Sequence, residues 1–170
     1  MRAIVNVSPE WGIGTENRLL VHIHTDMRRF RALTLHNTII CGRKTLESFP
    51  NGEPLPEREN IVLTRNPVYE KDGVTVCHSL EDLNEALQGR DPDTVFVCGG
   101  EQIYRLLLPY CDEALVTLNY ASEEADTFFP NLNRRKKWQL IEVGEKQWEG
   151  ENAFRYLRYR NDDPLPLPGK

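Results

Sequence analysis

Short apolar runs rich in β-branched residues alternate along this chain with segments whose apolar positions recur every three or four residues. The runs Ala3–Val7, Thr38–Cys41, Asn60–Thr64, Val74–Cys77, Thr94–Cys98 and Ala114–Asn119 predict strands. Helices are expected over Asp26–Thr34, Lys44–Ser48, Leu80–Leu87 and Gln102–Leu108. In the first of these, Met27, Phe30, Arg31 and Thr34 share a face, and Thr25 stands where an N-cap belongs. Ser79 caps the third, with Asp82 adding an acidic first turn. Alternating strands and helices imply βαβ crossovers, hence an α/β fold with a mainly parallel central sheet and helices on both faces. Two later runs, Gln139–Val143 and Phe154–Tyr159, have no helix between them, only the polar linker Gly144–Asn152. They predict a C-terminal antiparallel hairpin on the same sheet. Residues 1–160 then form one domain, and 161–170, with three prolines and a glycine, a flexible tail.

Composition narrows the function classes. The 170 residues suffice for one sizeable core, and the 39% apolar content is ordinary for a globular chain. No apolar run approaches the roughly 18–20 residues of a membrane span, and Met1–Val7 reads as a first strand, not a secretory signal. A net charge of −5 argues against a nucleic-acid partner, since phosphate backbones require a basic surface. Cys41, Cys77, Cys98 and Cys111 are widely spaced without a CxxC pattern, so neither a disulfide framework nor a zinc site is expected. A reducing, cytoplasmic compartment follows.

Ligands of open α/β sheets bind beyond the carboxyl ends of the strands. Four such ends carry suggestive residues. Gly42-Arg43-Lys44-Thr45 opens a helix with free N–H groups, two cations and a hydroxyl, which suits a phosphate; a solvated helix start is the plainer alternative. Thr64-Arg65 offers a hydroxyl and a guanidinium to a phosphate monoester, or is simply a polar turn before Pro67. After Cys98, the pair Gly99-Gly100 lets backbone approach a pyrophosphate, or serves only packing; it is not the GxGxxG fingerprint. The segment Pro9–Asn17, with Gly12 and Gly14, suggests a mobile covering loop. Asp26, at the start of the first helix, has by itself no more than an electrostatic reason to be there.

Taken in order, these pieces resemble dihydrofolate reductase from Ile4 to about Tyr159. The matching segments are Trp11-Gly12-Ile13-Gly14 with Glu16-Asn17, Asp26 with Phe30, and Gly42-Arg43-Lys44-Thr45 followed by Glu47-Ser48. They continue with Pro54-Leu55-Pro56 and Arg58-Glu59-Asn60, Gly99-Gly100 with Tyr104, Thr117, and Asp126-Thr127-Phe128-Phe129-Pro130. Each is weak alone; this many in register are specific.

The resemblance implies NADPH as cofactor, dihydrofolate and antifolates as ligands, and a monomer. It makes Asp26 the only ionisable side chain in the pteridine pocket, supported by Thr117 directly or through water. Ile4, Asn6, Val21, Met27 and Phe30 would line that pocket, and Arg58 would grip the α-carboxylate of the glutamate tail. Gly42, Arg43, Lys44 and Thr45 would hold the phosphates, and Thr64 and Arg65 the adenosine 2′-phosphate. Cys98, Gly99 and Gly100, the glycines often joined by a cis peptide, would lie under the pyrophosphate, with Gln102, Ile103 and Tyr104 close by. Ile13 and Gly14 would flank the nicotinamide, and Asp126 would tether the covering loop. No metal is implied.

Two departures stand out. The family's Leu-Pro-Trp segment is here Leu19-Leu20-Val21, so Val21 replaces a tryptophan that helps hold water and cover the pterin. Asn6 stands where a small alanine is common. His22 and His24 lack nearby acid or cysteine partners at metal spacing, and one of them could take over the lost water contact. The missing tryptophan also keeps open a non-catalytic folate-binding relative, and the shared architecture a riboflavin-pathway reductase.

Overall fold

The computed structural model describes residues 1–170. In chain order the elements are β1 (Arg2–Val7), β2 (Gly12–Thr15), β3 (Arg18–Leu19), α1 (His24–Thr34), β4 (Thr38–Cys41) and α2 (Arg43–Glu47). There follow β5 (Glu59–Leu63), β6 (Val74–Cys77), α3 (Leu80–Ala86), β7 (Val95–Val97), α4 (Glu101–Leu107) and β8 (Glu113–Asn119). The chain ends with β9 (Thr127–Phe128), β10 (Trp138–Val143), β11 (Gln147–Glu149) and β12 (Asn152–Asn161).

The central sheet runs β10-β12-β8-β1-β7-β4-β5-β6, with β11 added against β12. All pairings from β8 to β6 are parallel, and only the β10–β12–β8 side is antiparallel, as the hairpin pattern predicts. The middle strands carry Ile39, Ile40, Ile61, Val62 and Val97 at 0% exposure. Each such side chain removed from water contributes about 1.5–3 kcal/mol, and only a sheet covered on both faces buries consecutive ones. Tyr104, on α4, crosses this core and donates its hydroxyl to the Ile4 carbonyl at 2.7 Å, fixing α4 to β1.

Three expectations are revised. The covering segment is not a free loop: β2 pairs with both β3 and β9 in a separate three-stranded antiparallel sheet. Helix α1 begins at His24, with Ile23 rather than Thr25 at its cap position and no side-chain cap from its own sequence. Instead Glu149, from the far hairpin, accepts the N–H groups of His24 and Thr25 at 2.7 and 2.9 Å and the Thr25 hydroxyl at 2.7 Å. Those donors hold the Glu149 carboxyl down at about 2, the hydroxyl contributing most. Residues 161–170, expected to be a loose tail, lie against the body. The Leu165 N–H donates to the Pro109 carbonyl, Leu167 packs on the main core, and Lys170 pairs with Asp82 and Glu85.

Candidate active site

The carboxyl ends of β1, β4, β5, β6 and β7 open on one side of the sheet, between the covering segment, α1 and α4. There they enclose a cavity of about 1420 Å³. Ile4, Asn6, Ile13, Gly14, Val21, Asp26, Met27, Phe30, Gly42, Arg43, Lys44 and Thr45 border it. So do Arg58, Thr64, Arg65, Cys98, Gly99, Gly100, Gln102, Ile103, Tyr104 and Thr117. Every residue assigned to a ligand from sequence is therefore brought to one space. Asp126 does not border it; its carboxylate accepts the Glu16 N–H at 2.9 Å and its own N–H donates to the Gly14 carbonyl, which fastens the covering segment.

At one end, Ile4, Phe30, Phe49 and Leu55 pack in one apolar cluster and line the same cavity as Asp26. The Thr117 hydroxyl donates directly to Asp26 Oδ1 at 2.6 Å, and Asn6 Nδ2 donates to Oδ2 at 3.0 Å. The half-buried carboxylate thus accepts one hydrogen bond on each oxygen. Arg58 is anchored at the edge of this end: its Nε donates to the Pro56 carbonyl and its guanidinium to Thr34 Oγ1. Burial, and next the charge of Arg31, push its pKa below the usual value. An anion placed between Arg58 and Arg31 would relieve that repulsion.

At the other end the surface is backbone and cations. Gly42 and Gly100 occupy the cap positions of α2 and α4 without any capping side chain, leaving the first N–H groups of both helices open. The Gly99–Gly100 peptide is cis, and Gly99 has φ +122°, a conformation glycine adopts without a Cβ clash. A Cβ on Gly100 would lie 3.2 Å from Thr45 Oγ1, and one on Gly42 3.1 Å from Ile103 Cγ1. The cradle exists because glycines stand there, which fits a pyrophosphate lying against backbone. Arg43 pairs with Glu47 on its own helix, while Lys44 and Arg65 are exposed cations beside Thr64.

Sequence reasoning missed several lining residues. His78 and Ser79 follow β6, and the strand-end rule that selected Thr64 would have selected them too. The expected cap at Ser79 is present, its hydroxyl accepting the Asp82 N–H at 3.0 Å. His22 borders the cavity but His24 does not, so only His22 is placed to meet a ligand or its water. The four thiols are unpaired, and burial pushes Cys41 and Cys111 up to about 12 and Cys98 well above its usual value. None is poised as a nucleophile.

The family model described as dihydrofolate reductase matches residues 1–161. The chain is 38% identical over 159 residues to a dihydrofolate reductase of Bacillus subtilis, covering 92% of each protein. It is 36% identical over 142 residues to that of Staphylococcus aureus, covering 84% of each. A solved dihydrofolate reductase from Enterococcus faecalis, complexed with NADP(H) and RAB-propyl, superimposes with a TM-score of 0.84 at 33% identity, over 95% of this chain and 96% of that one. None of these relatives is a riboflavin-pathway reductase. With one cavity joining a doubly bonded carboxylate to a glycine cradle, and with relatives spanning nearly its whole length, the chain belongs to the dihydrofolate reductase family.

Proposed function

We infer that this chain is an NADPH-dependent dihydrofolate reductase, converting 7,8-dihydrofolate to 5,6,7,8-tetrahydrofolate. The observation that carries the reading is Asp26, a half-buried carboxylate held by Thr117 and Asn6 in the same cavity as the glycine and cation cradle. NADPH, when bound, supplies the hydride.

Asp26 accepts two adjacent N–H groups of the pterin edge, which orients the ring and draws electron density toward the atom to be protonated. Thr117 and Asn6 hold the carboxylate in place for this. Water, not Asp26, delivers the proton to N5. Ile4, Val21, Met27 and Phe30 shield the reacting ring from bulk solvent. Arg58 takes the α-carboxylate of the glutamate tail. At the cradle, Arg43, Lys44 and Thr45 hold phosphate oxygens, Thr64 and Arg65 the 2′-phosphate, and Cys98, Gly99 and Gly100 the approach of the pyrophosphate. Gln102, Ile103 and Tyr104 shape the same wall, and Ile13 and Gly14 close over the nicotinamide, held by Asp126. Diaminopyrimidine-type antifolates, with paired N–H donors, fit the same carboxylate.

The chain acts as a monomer in the cytoplasm without a nucleic-acid partner. The unpaired thiols support a reducing compartment, and the net charge of −5 supports the lack of a nucleic-acid partner. NADPH oxidation followed spectroscopically on adding dihydrofolate tests the function. Dihydrofolate-dependent turnover is expected, faster with NADPH than NADH. Folded protein that binds folate without oxidising NADPH would make it a binding relative instead.

A further inference from the structure

Strand alternation places Thr117 and Asn119 on the same face of β8, and Asn6 of β1 is the register partner of Thr117. All three face α1 and Asp26. Asn119 is 2% exposed, and no ligand-facing role accounts for an amide buried there. Its bonds do. The Ala121 backbone N–H donates to Asn119 Oδ1 at 3.1 Å, Asn119 Nδ2 donates to Asn6 Oδ1 at 2.6 Å, and Asn6 Nδ2 donates to Asp26 Oδ2 at 3.0 Å.

The direction of this chain follows from its two ends. A backbone N–H can only donate, so the atom of Asn119 facing Ala121 is its oxygen, and its nitrogen faces Asn6. Asn6 must then present its oxygen to Asn119 and its nitrogen to Asp26. An ionised carboxylate can only accept, so the far end agrees. Each amide orientation is fixed by chemistry, with no alternative flip that keeps all the bonds.

We propose that Asn119, acting through Asn6, is a positioning residue that presents Asp26 to the substrate as a fixed carboxylate with one acceptor site left free on each oxygen. A carboxylate offers about four acceptor sites, two per oxygen. Thr117 takes one on Oδ1 and Asn6 one on Oδ2. The two that remain match two adjacent N–H donors on a heterocycle edge. A ligand edge offering an acceptor instead would need Asp26 protonated, and a proton on Oδ2 would compete with the Asn6 donor. The pair therefore sets specificity for donor–donor edges. This rests on the reading of Asp26 as pterin anchor.

A double-mutant cycle on folate binding, read by equilibrium Kd, tests it with Asn119→Leu, Asp26→Asn and the double variant. Asn119→Leu alone is expected to weaken folate roughly fivefold, the worth of one neutral hydrogen bond passed on through Asn6, with NADPH Kd unchanged. On the Asp26→Asn background the same change is expected to weaken folate by less than about twofold, because its target is gone. Equal weakening on both backgrounds would mean a merely structural role and overturn the proposal. Loss of folate binding in Asp26→Asn with none in Asn119→Leu would overturn the pair and leave the anchor standing. Unchanged folate binding in Asp26→Asn would overturn both. Should Asn119→Leu not fold, Asn119→Ser, which removes the donor to Asn6 Oδ1 while keeping a polar atom for the Ala121 N–H, enters the same cycle with the same expected pattern.

Discussion

At the pterin end of the cavity, Asp26 is held by Thr117 and by an Asn119–Asn6 chain before any ligand arrives, and the helix that carries it is capped by Glu149. At the cofactor end, by contrast, open helix termini, a glycine pair and exposed Lys44 and Arg65 wait for phosphate, and few of these groups are pre-bonded. The difference follows from what each ligand part demands. A flat heterocycle is distinguished by the direction of two hydrogen bonds, so its acceptor must be fixed. Phosphates are distinguished by charge, so mobile cations on a shaped backbone suffice. The first end should therefore respond sharply to a change of one atom, and the second should lose binding by degrees.

The largest effect should come from making the fixed acceptor neutral. Asp26→Asn replaces one acceptor oxygen by a donor nitrogen, and kcat/KM for dihydrofolate should fall by roughly 30- to 1000-fold, equivalent to about 2–4 kcal/mol. A fall of less than threefold would remove the distinction between the two ends.

A smaller, graded change is expected from Arg65→Ala. Losing one charge-assisted contact should raise KM for NADPH by roughly tenfold and leave KM for NADH and dihydrofolate alone. Steady-state kinetics with both cofactors separates this from a general loss of packing, which would raise all three.

The smallest effect concerns the support behind the pterin end. Glu149 titrates at about 2 in the folded chain against an ordinary 4.5. Its cap thus contributes stability that is present above pH 4.5 and is lost as the pH falls through about 2. Thermal melts of the wild type and Glu149→Gln should differ most at neutral pH and converge as the pH approaches 2. A difference that grows on acidification would contradict the cap.

Much of this asymmetry was hidden in the sequence, and for a physical reason. The cradle residues lie in contiguous stretches such as Gly42–Thr45 and Gly99–Gly100, so local patterning and strand ends reveal them. Asp26 and the start of its helix are supported by bonds spanning 20 to 125 positions of sequence, which only the sheet register and the terminal hairpin bring together. Thr25 was a fair cap by local rules, yet a carboxylate delivered from Glu149 outcompetes it. Likewise β2 reads as loop in the sequence because its partner β9 lies more than a hundred residues on and neither strand is long enough to show a period. Asn119 was within reach: it ends a predicted strand two positions after Thr117, and a polar residue on that buried face calls for a partner. The tail misled by its prolines, which stiffen a chain as readily as they free it; Leu167 and Lys170 then seat it.

The contrast between the ends reduces to one titration. Folate and NADPH are each titrated into the wild type and Asp26→Asn, and Kd is read by calorimetry. Folate should weaken by at least roughly 30-fold, with the NADPH value unchanged within error. Parallel weakening of both ligands, or none for folate, would contradict the account.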